Sequence, residues 1–559
     1  MNTCTQCKKE FTVTDQDSLF YEKMGVPHPV LCADCRRQHL LIWRNQRTLY
    51  SRKCSATNKP IISIFSPDSP YIVYDRDYWW SAAWDPFEHG MDFDFSKTFA
   101  EQFNELLRIT PLAAIFNGNS ENSLYCNHVG SMKNSYLTFA SWGDENVMYS
   151  DLSFGDKDSV DMLETGDCQQ CYELVQSNNC FDSKYCIQSE RCNNSWFLFD
   201  CKDCDNCIGC TNLRHKQYYI FNKPYTPEEY KKRAAELRLD TRSGIEKTKR
   251  EFEEFKKSAI HKYANIITCE SCTGDTLTGG QNVRYSFALR DELTDVAYCI
   301  NGGRNLIDVY DGYGVGFGLE RGYLCLDTGA NGADNIACFV VWGCQYAYYS
   351  YNCHSSFEIF GCTGVRNKKH CILNRQYTQS EYEQLKKKII AHMREAGEWG
   401  HLPSPSISPF GYNETLAHEY TPLTKEQAIS LGFKWQDAMP GTTGRETLVE
   451  VSEIITDVPD LIVNEVFACR ACKRNYRIVT AELAFYRSKE LPLPTQCPQC
   501  RYDARRSLRN PHTLWNRQCM CELENHSHAG RCPVQFETTY APDRPEKVYC
   551  ETCYQSEII

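Results

Sequence analysis

The sequence predicts a mainly β protein with added helices, in which two β-solenoid-like repeat units are flanked by N- and C-terminal treble-clef/zinc-ribbon modules related by internal duplication. Three observations lead there. A cysteine frame near the start recurs near the end, a twelve-residue period runs through the middle, and the junction from repeat to helix occurs twice.

Cys4, Cys7, Cys32, Cys35 and Cys54 return, shifted by 465 residues, as Cys469, Cys472, Cys497, Cys500 and Cys519. Phe20-Tyr21 likewise matches Phe485-Tyr486, and Arg44-Asn45 matches Arg509-Asn510, with no gap. Two C-x2-C pairs about two dozen residues apart have the spacing of a tetrahedral zinc site. A knuckle, a hairpin and a helix that starts at the second pair make a treble clef, whose helix N-terminus favours thiolates. Four thiolates leave no open position, so these sites are structural.

A second site follows in the C-terminal copy: Cys519, Cys532, Cys550 and Cys553. About ten inserted residues carry Cys521, His526 and His528, which are alternative ligands for it. The N-terminal counterparts are Cys54, Thr57, Asp75 and Tyr78, with a single thiol. The expectation is therefore about three Zn2+ per chain.

In the middle, one column of the period reads Asn122, Asn134, Asn146, Asp158, Gln170, Asp182, Asn194 and Asn206. The next reads Ser123, Ser135, Val147, Ser159, Cys171, Ser183, Ser195 and Cys207. Fixed-period self-similarity indicates a solenoid. Small residues at every third place suit the inside of narrow coils, and the polar column suits ladders at corners. The period alone leaves open whether one coil takes twelve or twenty-four residues. Cys201, Cys204, Cys207 and Cys210 come close to an iron–sulfur loop, but Thr211 stands where that motif usually has proline. The solenoid columns already account for these thiols as packed side chains.

The segment beginning at Phe360 repeats the one beginning at Ile208, and each leads into a helix through a capping box, Thr226/Glu229 and Thr378/Glu381. The expected organisation is 1–95, an N-terminal zinc-ribbon/treble-clef module; 96–225, the first β-solenoid; 226–265, a helical connector; 266–377, a second β-solenoid, blurred upstream; 378–465, a helix and extended linker; and 466–559, a C-terminal double zinc-ribbon module.

Thirty-three cysteines, an odd number, follow a start with no apolar signal region, which points to a reducing cytoplasm and to metal ligation and packing. A net charge of −11 excludes general affinity for nucleic acid, so such binding needs local basic patches. The candidates are Arg36, Arg37, Arg44, Arg47, Arg52 and Lys53, with Arg501, Arg505, Arg506, Arg509 and Arg517, interleaved with aromatics such as Trp43 and Tyr50. The competing reading pairs these arginines with the acidic middle of the chain.

RNQRTLYSRKC, SPDSPYIVY, LRHKQYYIFNKPYTPEEY and PFGYNETLAHEYTPLTKEQAISLGFKW resemble the uncharacterised large zinc-ribbon, cysteine-rich repeat proteins of reduced-genome candidate-phyla bacteria. The resemblance covers essentially the whole chain and supplies no activity. It implies C-x2-C plus C-x2-C at the second N-terminal site, from which Thr57, Asp75 and Tyr78 depart.

Catalytic signatures are weak. There is no phosphate-binding glycine loop, H-E-x-x-H or nucleophile elbow. His128, His215, His354 and His370 are scattered through the repeats, and Asp308, Asp311 and Glu320 are isolated acids. A non-catalytic, zinc-stabilised scaffold accounts for more of the sequence. Its partner is RNA, ribosome or DNA on the basic helices, or a protein on an aromatic face, and a homodimer is an option. An active site on a solenoid face, and metal storage or sensing, are the alternatives.

Overall fold

The computed structural model describes residues 1–447, 451–523, 526 and 528–558. It is mainly β, with short helices at the modules and connectors. In the first solenoid, parallel bridges link residues twelve apart, for example Gly130 to Trp142, Lys133 to Glu145, Tyr136 to Met148 and Phe139 to Asp151. Bridges thus fall at every third residue, so one coil is twelve residues with four sides of three.

The triplet has a simple internal logic. Every third residue from His128 to Phe221 has a φ between +46° and +76° and makes a corner. Val, Ile and Thr are missing from these corners, because a branched Cβ is the worst fit to left-handed backbone. Asn and Asp tolerate it best. Their side chains stack from coil to coil: Asn122 Nδ2 donates to Asn134 Oδ1 at 3.1 Å, and Asn134 Nδ2 to Asn146 Oδ1 at 3.2 Å. The residue after each corner points inward, and from Val129 to Cys210 every one is buried. The inward side chains are mostly Ser, Thr and Cys with an occasional Val, Leu or Met, and the two inward aspartates, Asp144 and Asp156, are hydrogen-bonded inside the coil.

Cys201, Cys204, Cys207 and Cys210 line successive sides of this wall. Each Sγ donates to the carbonyl two residues earlier, at 3.3–3.5 Å. They are wall side chains of a coil, as the columns predict.

The second solenoid uses the same triplet with a different period. Leu293 pairs with Leu306, Leu306 with Leu319 and Leu319 with Gly332, a step of thirteen. The step returns to twelve at Ala333–Gln345, Gln345–Phe357 and Phe357–Lys369. The extra residue is absorbed at one corner column, Glu292, Asn305, Gly318 and Asn331, all with positive φ. A fixed twelve-residue pattern loses register here, which is why the repeat looks blurred in the sequence.

Both solenoids end alike. Gln217–Ile220 turns back antiparallel to Lys223–Pro224, and Lys369–Ile372 to Arg375–Gln376. These hairpins close the last open edge. Thr226 and Thr378 then cap the helices Pro227–Glu236 and Gln379–Glu395 through the expected boxes with Glu229 and Glu381.

Two compact units result. One comprises Met1–Ile115 with Ala264–Met439, and the other Phe116–Tyr263 with Pro440–Ile559. The N-terminal module thus belongs with the second solenoid and the C-terminal module with the first.

Candidate metal centres

In the N-terminal clef the strands Asn2–Thr3 and Glu10–Phe11 form the knuckle that presents Cys4 and Cys7. Cys32 is the N-cap of the helix Ala33–Leu41, so Cys32 and Cys35 sit where backbone N–H groups are unpaired. The C-terminal clef repeats this with Phe467–Ala468, Asn475–Tyr476 and the helix Pro498–Arg506, N-capped by Cys497.

The four Sγ atoms of each set lie within 4.8 Å of one another. A tetrahedron with Zn–S bonds of about 2.3 Å has S–S edges of about 3.8 Å. The separations Cys7–Cys32 and Cys472–Cys497 are both 3.7 Å, and Cys532–Cys550 in the second C-terminal set is 3.9 Å. Cys519, Cys532, Cys550 and Cys553 are all buried. The donor sets fit zinc in charge, number and spacing.

Hydrogen bonds favour the thiolate at some of the ligands, while burial raises others such as Cys497 and Cys500. Cys497 N–H donates to Cys469 Sγ at 3.2 Å. Burial opposes ionisation of Cys469, yet N–H bonds from Cys472, Cys497 and Ala471 outweigh it and bring the thiol down to about 6. In the N-terminal clef, Cys35 donating to Cys32 is the largest of the influences that lower Cys32 to about 5.

The second N-terminal site has the ribbon without the ligands. Asp75 N–H donates to Cys54 Sγ at 3.2 Å, and its counterpart, Cys550 N–H to Cys519 Sγ, is also 3.2 Å. Asp75 instead caps the helix Arg76–Trp80, and Tyr78 packs edge-on against Tyr74. An N-capping aspartate and a packed tyrosine stand where the other copy has Cys550 and Cys553.

Cys521, His526 and His528 do not substitute into the Cys519 set. With Cys553 they form a fourth group whose ligand atoms also lie within 4.8 Å of one another. The expectation of about three ions treated them as alternatives, because the insertion hides their register, and this group corrects that count of sites.

On the basic helices most of the candidate arginines are paired within the protein. Arg36 Nε lies 2.9 Å from Asp311 Oδ2, with both side chains buried. In the other unit, Arg501 Nε is 2.8 Å from Asp161 Oδ2, and Arg505 Nη1 is 2.7 Å from Asp161 Oδ1. Arg501 also pairs with Glu482 at 3.3 Å, Arg44 with Asp327 at 3.5 Å, and Arg509 with Glu164. Arg37 pairs with Asp34 and Arg506 with Asp503. Arg52 donates to Ser66 O, and Arg517 to Ala541 O and Glu546 O. Arg47 is half-buried, and Lys53 is exposed. A buried guanidinium already facing a carboxylate is not offered to phosphate. This is the pairing of the competing reading for Arg36, Arg44, Arg501, Arg505 and Arg509, whose acids Asp311, Asp327, Asp161 and Glu164 lie hundreds of residues away.

The isolated acids and histidines are also engaged. Asp311 holds Arg36, Asp308 pairs with Lys23, and Glu320 with Arg321. His354 is buried, with Trp79, Trp80 and Trp342 around it, and His370 lies 2.6 Å from Glu358. His128 is buried beside Phe116, and His215 faces Asp203 from the surface.

No helix among the described residues is long and apolar enough to cross a membrane. No curated protein matches the chain. Residues 1–40 match the family described as "Probable treble clef domain", so the N-terminal segment resembles by sequence what its knuckle, helix and four thiols build in three dimensions.

Proposed function

We propose that the chain is a non-catalytic scaffold, stabilised by zinc in its cysteine sets, that binds a protein partner on a solenoid face. The observation that carries this is an exposed aromatic pair in register on consecutive coils. Trp142 is 55% exposed and Phe154 40%, and the two are bridged residues of one column. The Trp142 ring lies over Gly130, where any Cβ would meet it at 2.2 Å. Large aromatics held on a rigid frame are what protein interfaces use as anchors. The arginines that a nucleic-acid reading would need act instead inside each unit, which favours the reading without nucleic acid.

Full-length protein is used as bait in native lysate, with and without nuclease, beside the Trp142→Ala/Phe154→Ala variant. The expected result is a defined protein partner that survives nuclease and whose retention falls at least about tenfold in the variant, the loss of about 1.4 kcal/mol or more. Retention that vanishes with nuclease and ignores the variant overturns the proposal in favour of nucleic acid.

A further inference from the structure

The insertion at 521–530 brings a second constellation against the buried tetrathiolate set, and the two sets share one atom. We propose that the C-terminal module holds a thiolate-bridged pair of zinc ions. One ion is bound by Cys519, Cys532, Cys550 and Cys553. The other is bound by Cys521, His526, His528 and the same Cys553 Sγ.

The spacing fits. A tetrahedral zinc with Zn–S of about 2.3 Å and Zn–N of about 2.0–2.1 Å has S–N edges of about 3.5 Å. Cys553 Sγ lies 3.4 Å from His528 Nε2, and Cys521 Sγ 3.1 Å from His526 Nδ1. Cys532 N–H donates to Cys521 O at 2.9 Å, which ties the two ligand segments together.

Each histidine is also oriented from behind. His526 Nε2 lies 3.0 Å from Glu557 Oε1, and His528 Nδ1 lies 2.8 Å from Gly530 O. A ring nitrogen that donates to a carboxylate or carbonyl fixes the tautomer, and the lone pair is then on the other nitrogen. In both rings that other nitrogen faces a cysteine of this group. A carboxylate or carbonyl behind the ring is the usual outer partner of a metal-binding histidine. The helix Glu551–Ile558 supplies both parts, since Cys553 and Glu557 are one turn apart on it.

Charge favours the pair. Four thiolates on one Zn2+ leave a net −2, whereas five thiolates and two neutral imidazoles on two Zn2+ leave −1. A thiolate has lone pairs for both ions, and two bonds of about 2.3 Å place them about 3.8 Å apart. The second ion, with two half-buried imidazoles among its ligands, exchanges before the buried tetrathiolate ion.

The test uses the full chain loaded with zinc and, separately, with cadmium-113. Four ions per chain are expected, with scalar coupling between two cadmium resonances, one of sulfur-only and one of mixed sulfur–nitrogen ligation. Cys521→Ser/His528→Asn is expected to bind three ions and to lose the coupling while keeping the sulfur-only resonance of its neighbour. That variant leaves every tetrathiolate ligand in place, so retention of the neighbouring resonance reports a folded module. Three ions in the unaltered chain overturns the proposal. So do four ions with no cadmium–cadmium coupling, since the bridge is then missing.

Discussion

The two units solve one docking problem with the same few atoms and differ in how strongly they secure it. In the unit with the N-terminal clef, the Arg36 guanidinium lies 5.1 Å over the Tyr298 ring and pairs with Asp311. In the other, Arg501 lies 4.7 Å over Tyr149 and pairs with Asp161. Each tyrosine precedes its aspartate by one coil, thirteen residues in the first case and twelve in the second. The clef helix therefore straddles two coils in both units, and the solenoid column meets it whatever the coil length. The differences lie around this pair. Asp161 has a second cation, Arg505, where the other clef has Leu40, and only the C-terminal ribbon completes its second metal site. Docking geometry is thus common to the two copies, while reinforcement is local and separable.

The largest expected effect comes from giving the N-terminal ribbon the missing ligands. Thr57→Cys/Asp75→Cys/Tyr78→Cys, with Cys54 in place, should add one zinc per chain by elemental analysis, at a gain of about 10 kcal/mol in apparent binding free energy. An unchanged metal count means that the aromatic packing has closed the site.

Arg36→Met should destabilise its unit by about 3–5 kcal/mol, because it leaves Asp311 buried without its cation. Burial already pushes Asp311 upward against the pull of Arg36. Arg505→Met should cost only about 2 kcal/mol, since Arg501 stays on Asp161. Denaturant titration of both variants checks the ranking, and equal losses break the comparison.

Acid should weaken both units through buried neutral histidines. Burial lowers His261 to about 4 and His354 to about 3. An unfolded histidine titrates near 6.5, so the unfolded chain takes up protons first as pH falls. Stability is complete above about 6.5 and declines toward 4 for His261 and 3 for His354, by on the order of 3 kcal/mol for His261 and about 5 kcal/mol for His354. His354→Gln should flatten the acid limb of a thermal-shift profile.

The smallest effect belongs to the corners. Asn134→Ala keeps a left-handed φ without the ladder bonds and should cost about 1 kcal/mol, whereas Asn134→Gly should cost less. Differential scanning of the two variants distinguishes backbone strain from lost hydrogen bonds.

Local features were legible in the sequence. The clef ligands follow from spacing, the capping boxes from Thr226/Glu229 and Thr378/Glu381, and the inward and corner columns from a period of twelve. What was not legible depends on contacts with no local trace. Nothing around Arg36 says that its partner is Asp311, 275 positions away, so a run of arginines on a helix reads as a surface. The thirteen-residue coils defeat a fixed-period reading because one corner residue is added per turn. The fourth metal group reads in the sequence only as alternative ligands, because three of its four members, Cys521, His526 and His528, lie in an insertion whose duplicated counterpart does not exist.

The segment composition of the units sets the order in which the protein can be made. Arg36 leaves the ribosome long before Asp311 is translated, and the first solenoid emerges before the clef that covers it. Neither unit can finish until synthesis has reached Met439 or the C-terminal module. A growing chain therefore carries unpaired guanidinium groups and an uncovered repeat wall for several hundred residues. Such long-delayed contacts fold slowly and leave apolar surface open to aggregation. Early zinc capture at Cys4, Cys7, Cys32 and Cys35 gives the nascent clef a stable form to wait in.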